Sequence, residues 1–178
     1  MASVRKASYY SMKVPQRPGS GAMLLAALKA AKVNLLAFTG FPEGGGAQVD
    51  FVPQDNAKFL KAARKAKLRI SSRKTVFLAQ GNDKVGALTQ ILGRLAKARI
   101  NMVALNAVIA GKRRYGAMFW VRPKDVAKAS RLLRARSALM TAPFFRKAGS
   151  LSWRSTKSAT SAREIFGKPV SSSRSPAR

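Results

Sequence analysis

The 178-residue sequence contains neither cysteine nor histidine. Thiol nucleophiles, imidazole bases, Ser-His-Asp triads and Cys/His zinc sites are therefore excluded. Its six acids, Glu43, Asp50, Asp55, Asp83, Asp125 and Glu164, are too scattered to suggest a catalytic carboxylate pair or a hard-cation cage. Neither Gly44–Gly46 nor Gly81–Gly86 is followed by the Lys-Ser/Thr of a phosphate loop. What remains is the chemistry of recognition. Gly19 and Gly86 stand where a strand turns into a helix, so backbone N–H groups can approach a carboxylate at a positive helix end, or the glycines simply permit a tight turn. Asp83 can accept hydrogen bonds from an ammonium group or cap the helix that follows it. Asn34 and Asn101 can bond polar groups of a ligand or form turns after their helices. These residues describe a binding protein rather than a catalyst, with no cofactor or metal expected.

The formal net charge of +29 comes from 35 Lys and Arg against those six acids. A field of this strength attracts nucleic acid, anionic lipid or acidic protein, and it also serves plain solubility. Apolar residues make up 47% of the chain, enough for a folded core. Lys29 and Lys32 interrupt the apolar stretch that begins at Met23, and no run approaches a membrane-spanning length. The first eight residues lack an apolar signal-peptide segment, so a cytoplasmic location is expected.

The elements that must position the recognition residues occur twice. Gly19, Leu25, Leu28, Ala31, Asn34 and Ala37 recur without a gap as Gly86, Leu92, Leu95, Ala98, Asn101 and Ala104, an offset of 67 residues. Further on the offset becomes 70, matching Pro53, Asp55 and Ala57 to Pro123, Asp125 and Ala127. The three extra residues are expected in the hairpin between the second and third strands. Each repeat reads β-α-β-β-α-β. First strands fall at Ser8–Val14 and Lys74–Ala79, and helical spacing follows in Leu24–Ala31 and Leu88–Ala98. Second strands fall at Val33–Phe41 and Ile100–Ile109, and third strands at Ala47–Val52 and Tyr115–Val121. Second helices run over Asp55–Lys67 and Asp125–Arg136, and short fourth strands are expected near Leu68–Ser71 and Ala138–Thr141.

The fold class expected is α+β, two ferredoxin-like modules packed side by side. The organisation is an N-terminal arm over 1–7, modules over 8–72 and 73–141, and a basic Ser/Arg-rich tail over 142–178 whose composition suits disorder.

With Arg17-Pro18-Gly19 matched by Asp83-Lys84-Val85-Gly86, and Val33-Asn34-Leu35 matched by Ile100-Asn101-Met102, the sequence resembles a tandem pair of ACT domains, regulatory modules that commonly bind amino acids. The resemblance implies side-by-side module pairing and an effector held between the first turn of one module and the second strand of a partner. The implied ligand-binding set is Pro18, Gly19, Ser20, Asn34, Leu35, Asp83, Val85, Gly86, Ala87, Asn101 and Met102. The first repeat departs from the pattern in carrying Gln16 where the second has Asp83. The function expected is non-catalytic regulation through a small amino acid or related carboxylate. A regulated enzyme or other chain is an expected partner, and pairing into a homodimer is allowed.

The alternative is RNA or DNA binding. Lys112, Arg113 and Arg114 lead from a basic hairpin into the strand that carries Tyr115 and Phe119 on one face, and in an RNA-recognition fold alternate aromatics on such a strand stack on bases.

Overall fold

The computed structural model describes residues 2–109, 111 and 113–137. The expected tail, and a strand near Ala138–Thr141, lie outside the described residues. Strands β1 (Ser3–Val14), β2 (Leu35–Glu43), β3 (Gly46–Pro53), β4 (Lys74–Asn82), β5 (Met102–Ile109) and β6 (Arg114–Val121) form one sheet in the order β2-β3-β1-β4-β6-β5. The short β7 (Arg136–Ser137) pairs in parallel with Arg5 and Lys6 of β1. Four helices, α1 (Ser20–Ala30), α2 (Asn56–Lys65), α3 (Thr89–Lys97) and α4 (Val126–Leu132), follow the two-fold repetition seen in the sequence. The α+β reading with two ferredoxin-like modules holds.

Helical residues recur at three and four because that spacing puts them on one face, and here that face packs on the sheet. Leu24 and Leu28 of α1, with Phe59 and Ala62 of α2, meet Tyr10, Val14, Val49 and Phe51. Ile91 and Leu95 of α3, with Ala129 of α4, meet Phe77, Ala79, Tyr115, Ala117 and Phe119. Rings fill both cores. Phe77 and Phe119 stack at 5.2 Å, and Tyr10 and Phe59 at 5.1 Å. Both second strands carry a bulge at the same place in the repeat, between Leu35 and Ala37 and between Met102 and Ala104.

Three expectations need correction. Residues 3–7 are not an arm: β1 begins at Ser3, because Val4 and Ala7 are apolar and buried and Ser3–Tyr9 pairs antiparallel with β4. The first repeat has no fourth strand at Leu68–Ser71. Beside Ser11 the segment makes two bonds instead: the Ser71 N–H donates to Ser11 O at 2.7 Å, and the Ser71 hydroxyl accepts from the Ser11 N–H. The ladder position is taken by β4, which is longer and more apolar.

The extra residues are also distributed differently. Ala37 pairs with Val52 and Ala104 with Trp120, so the third strands are offset by 68. The hairpin therefore absorbs one extra residue. The other two lie between β6 and α4, where Pro123–Asp125 form a 3-10 turn. Proline suits such a first turn, having no N–H to satisfy.

Candidate effector cleft

The turn between β4 and α3 is built by Gly86, whose φ of +72° favours glycine. Its carbonyl accepts from the Thr89 backbone N–H at 2.9 Å and from the Thr89 hydroxyl at 2.7 Å. Helix α3 starts with no side-chain cap; the Thr89 N–H is spent on Gly86, and the positive end of the helix dipole faces what lies in front of the turn. The Asp83 backbone N–H is tied to the Arg113 carbonyl at 2.7 Å, fixing the loop against the β5–β6 hairpin. The Asp83 carboxylate caps nothing and is exposed, which leaves it open to a ligand.

These groups border an open cleft of about 340 Å³, lined also by Leu88 and Leu92 of the helix side and by Ala107, Val108, Ile109 and Tyr115 of the sheet. Tyr115 is 5% exposed, and its hydroxyl has no hydrogen-bond partner among the described residues. Burial raises its pKa above the ordinary tyrosine value. The ring lies against Gly81, where a Cβ would come within 2.7 Å of it. Glycine is therefore required at 81 for the ring to reach the cleft.

Of the residues expected at the site, Asp83, Gly86 and Ala87 are brought together here. Asn34 and Leu35 line a separate depression of about 480 Å³ at the other end of α1, with Lys29, Lys32 and Phe38. The Asn34 amide is occupied: it donates to Gln54 Oε1 at 2.7 Å, while the Asn34 carbonyl accepts from Gln54 N–H. Pro18 and Gly19 are exposed, Ser20 donates to the Pro15 carbonyl, and Val85 is fully solvent-facing. Asn101 and Met102 lie beyond the C-terminal end of α3, a whole helix from Gly86. Within one chain, then, the turn and the start of the second strand do not converge.

The base-stacking reading fails on burial. Tyr115 and Phe119 share a face, as alternation requires, but that face lies beneath α3 and α4, and Phe119 is 1% exposed. Of the neighbouring cations, Arg113 and Arg114 are exposed and Lys112 lies outside the described residues. Sequence reasoning placed Tyr115 on the correct strand but did not place it in the lining of this cleft. The signal was Gly81, which pairs with Tyr115 across the β4–β6 ladder.

Two modules of β-α-β-β-α pattern thus share one sheet, a tandem ferredoxin-like fold. No protein-family model and no curated protein matches the sequence. Solved structures do match. A protein from Bacteroides thetaiotaomicron superposes with a TM-score of 0.60 at 18% identity, over 75% of this chain and 88% of that one. The ligand-free regulatory subunit of aspartate kinase from Thermus thermophilus superposes with a TM-score of 0.51 at 13% identity, over 75% of this chain and 94% of that one. At these identities the likeness is one of fold. Among the described residues, no helix is long and apolar enough to cross a membrane.

Proposed function

We propose that this chain is a non-catalytic regulatory protein that takes a small amino acid or related carboxylate in the cleft before α3. The observation that carries the reading is the buried Tyr115, whose hydroxyl has no partner among the described residues, lining the same cleft as the first residues of α3 and an exposed Asp83. A buried hydroxyl without a partner costs about 1–3 kcal/mol, which a ligand oxygen would recover. A ligand carboxylate accepts from Tyr115 and from the α3 backbone, its ammonium group faces Asp83, and its side chain rests on Leu88 and Leu92. The fold shared with a regulatory subunit supports the class.

The cleft opens along β5, an edge strand without charge or proline whose Val103, Val108 and Ile109 are 64–69% exposed. A bare apolar edge of this kind is a template for another strand. In this reading a second copy pairs along β5 and closes the cleft, so that effector binding changes how copies or a regulated chain associate.

The test is a thermal-shift series against the common amino acids at millimolar concentration in moderate salt. Saturation about 100-fold above the dissociation constant adds roughly 2.7 kcal/mol, a rise of several degrees. Tyr115→Phe and Asp83→Ala should each abolish most of the shift. A flat response across all twenty would reject amino-acid binding by this chain.

A further inference from the structure

On the opposite side of α3 lies a larger groove of about 960 Å³, bounded by α3, the turn after α4 and the first residues of β1. Arg94, Lys97, Arg134 and Arg136 line it, and no carboxylate does so among the described residues. Arg94 is partly committed, since its Nη2 donates to the Leu132 carbonyl and so holds α3 to α4. The other three cations are exposed and have no structural acceptor among the described residues. Gathering like charges is unfavourable unless an anion neutralises them.

Gly93 is a second and independent observation. It sits in the middle of α3 and lines the same groove. Glycine there costs the helix about 1 kcal/mol relative to alanine. Packing does not demand it, because a Cβ at 93 would meet nothing within 4 Å. Its φ is not in the left-handed region, so backbone geometry does not demand it either. What glycine provides is a bare stretch of helix surface between Gln90 and the groove cations.

We infer that this groove binds closely spaced phosphate groups, the chemistry shared by a nucleotide's oligophosphate and a nucleic-acid backbone. Arg134 and Arg136 offer planar, multidentate donors suited to phosphate oxygens, and Lys97 supplies a point charge. Gly93 lets the ligand lie against the helix. The groove meets the cleft only at Thr89, and none of its cations lines the cleft, so neither site requires the other.

The test measures binding of inorganic tripolyphosphate, ATP and a 12-nucleotide single strand to the full chain at 150 mM salt. Two triple variants are compared. Lys97→Gln/Arg134→Gln/Arg136→Gln removes three groove charges, and Lys58→Gln/Lys61→Gln/Lys65→Gln removes three from exposed α2. The groove variant should lose at least ten-fold in affinity and the α2 variant less than three-fold. For the single strand the groove variant should also flatten the slope of log affinity against log salt by about 2, at roughly 0.7 per cation. Gly93→Ala, which should raise thermal stability, should nevertheless weaken binding, a split that a merely structural glycine would not give. Binding of tripolyphosphate and ATP identifies a nucleotide-sized ligand, and binding of the single strand alone identifies a polymer. Equal losses in both triple variants, or no binding by any probe, would overturn the inference.

Discussion

Asp50 is a carboxylate folded into a place that disfavours its charge. It is 4% exposed on β3, on the sheet face away from the helices, between its register partners Ser11 and Thr39. Burial raises its pKa above 3.8, only partly opposed by the Gln48 amide donating at 3.0 Å and by the charge of Lys74. A raised acid pKa means that the folded state holds the proton more tightly than the unfolded chain. The contribution of Asp50 to stability is therefore most favourable below pH 3.8, declines as pH rises through the folded pKa, and is a constant deficit above it. Asp50→Asn keeps the Gln48 acceptor and offers a donor beside Thr39, whose hydroxyl is buried without a partner among the described residues. The substitution should raise the melting temperature at pH 7 by a degree or more, with the gain shrinking towards zero by about pH 4. A loss at pH 7 would show that Gln48 and Lys74 fully compensate the ion. Gly81 makes a complementary case: Gly81→Ala would drive a methyl group into the Tyr115 ring, costing about 1–3 kcal/mol by overpacking and closing the cleft as well. Chemical denaturation would read the first effect and ligand-induced thermal shift the second.

The helices show one economical device used four times. Lys32, Lys67, Arg99 and Arg134, each just past a helix, all have φ between +50° and +55°. The next residue bonds back to the last turn in every case: Val33 to Leu28 O, Leu68 to Ala63 O, Ile100 to Leu95 O and Ala135 to Ser130 O. These are Schellman closures, with an apolar residue following the cap and packed on the core. A non-glycine left-handed residue costs about 1–2 kcal/mol, while a cation at the helix C-terminus returns only about 0.3–1. Lys67→Gly should therefore stabilise the protein by about 0.5 kcal/mol in urea unfolding, and Lys67→Ala, which keeps the strain and loses the charge, should destabilise it. The opposite ordering would mean that the dipole term dominates. The same device explains which parts of the fold were legible in the sequence. Repeat, the order of elements along the chain and core faces follow from periodicity that two copies express twice. Helix ends do not, because glycine is the usual stop signal and basic residues replace it here; hence α2 ends at Lys65 rather than Lys67, and α4 at Leu132 rather than Arg136. Of the site, Asp83 and Gly86 are local turn chemistry and could be read directly. Tyr115 reaches the cleft only through sheet pairing with β4, which no local pattern encodes.

At the scale of the molecule, β1 runs through both repeats and joins them in one sheet. Its first half, Ser3–Tyr9, pairs with β4 of the second repeat, and its second half, Tyr10–Val14, with β3 of the first. It thus contributes Val4 to one core and Tyr10 and Val14 to the other. A module of this size buries little surface alone and is marginal by itself. The shared strand makes the stability of each repeat depend on the other, so a single cooperative unfolding transition is expected. Ala7 is the place to test this. It is 6% exposed, lies in register with Val76, and belongs to the half of β1 that serves the second repeat. Ala7→Pro deletes a backbone donor and fixes φ in the middle of a central strand, where proline is not tolerated. The loss should be about 3 kcal/mol or more, and it should fall on the second repeat, since Tyr10–Val14 can still pair with β3. Calorimetry should then resolve two transitions where the parent protein shows one. Hydrogen exchange should open β4 and β6 before β3. If the variant melts in one step at a lower temperature, the modules are coupled through more than β1. If the parent itself melts in two steps, the strand joins the repeats in space without joining their stability.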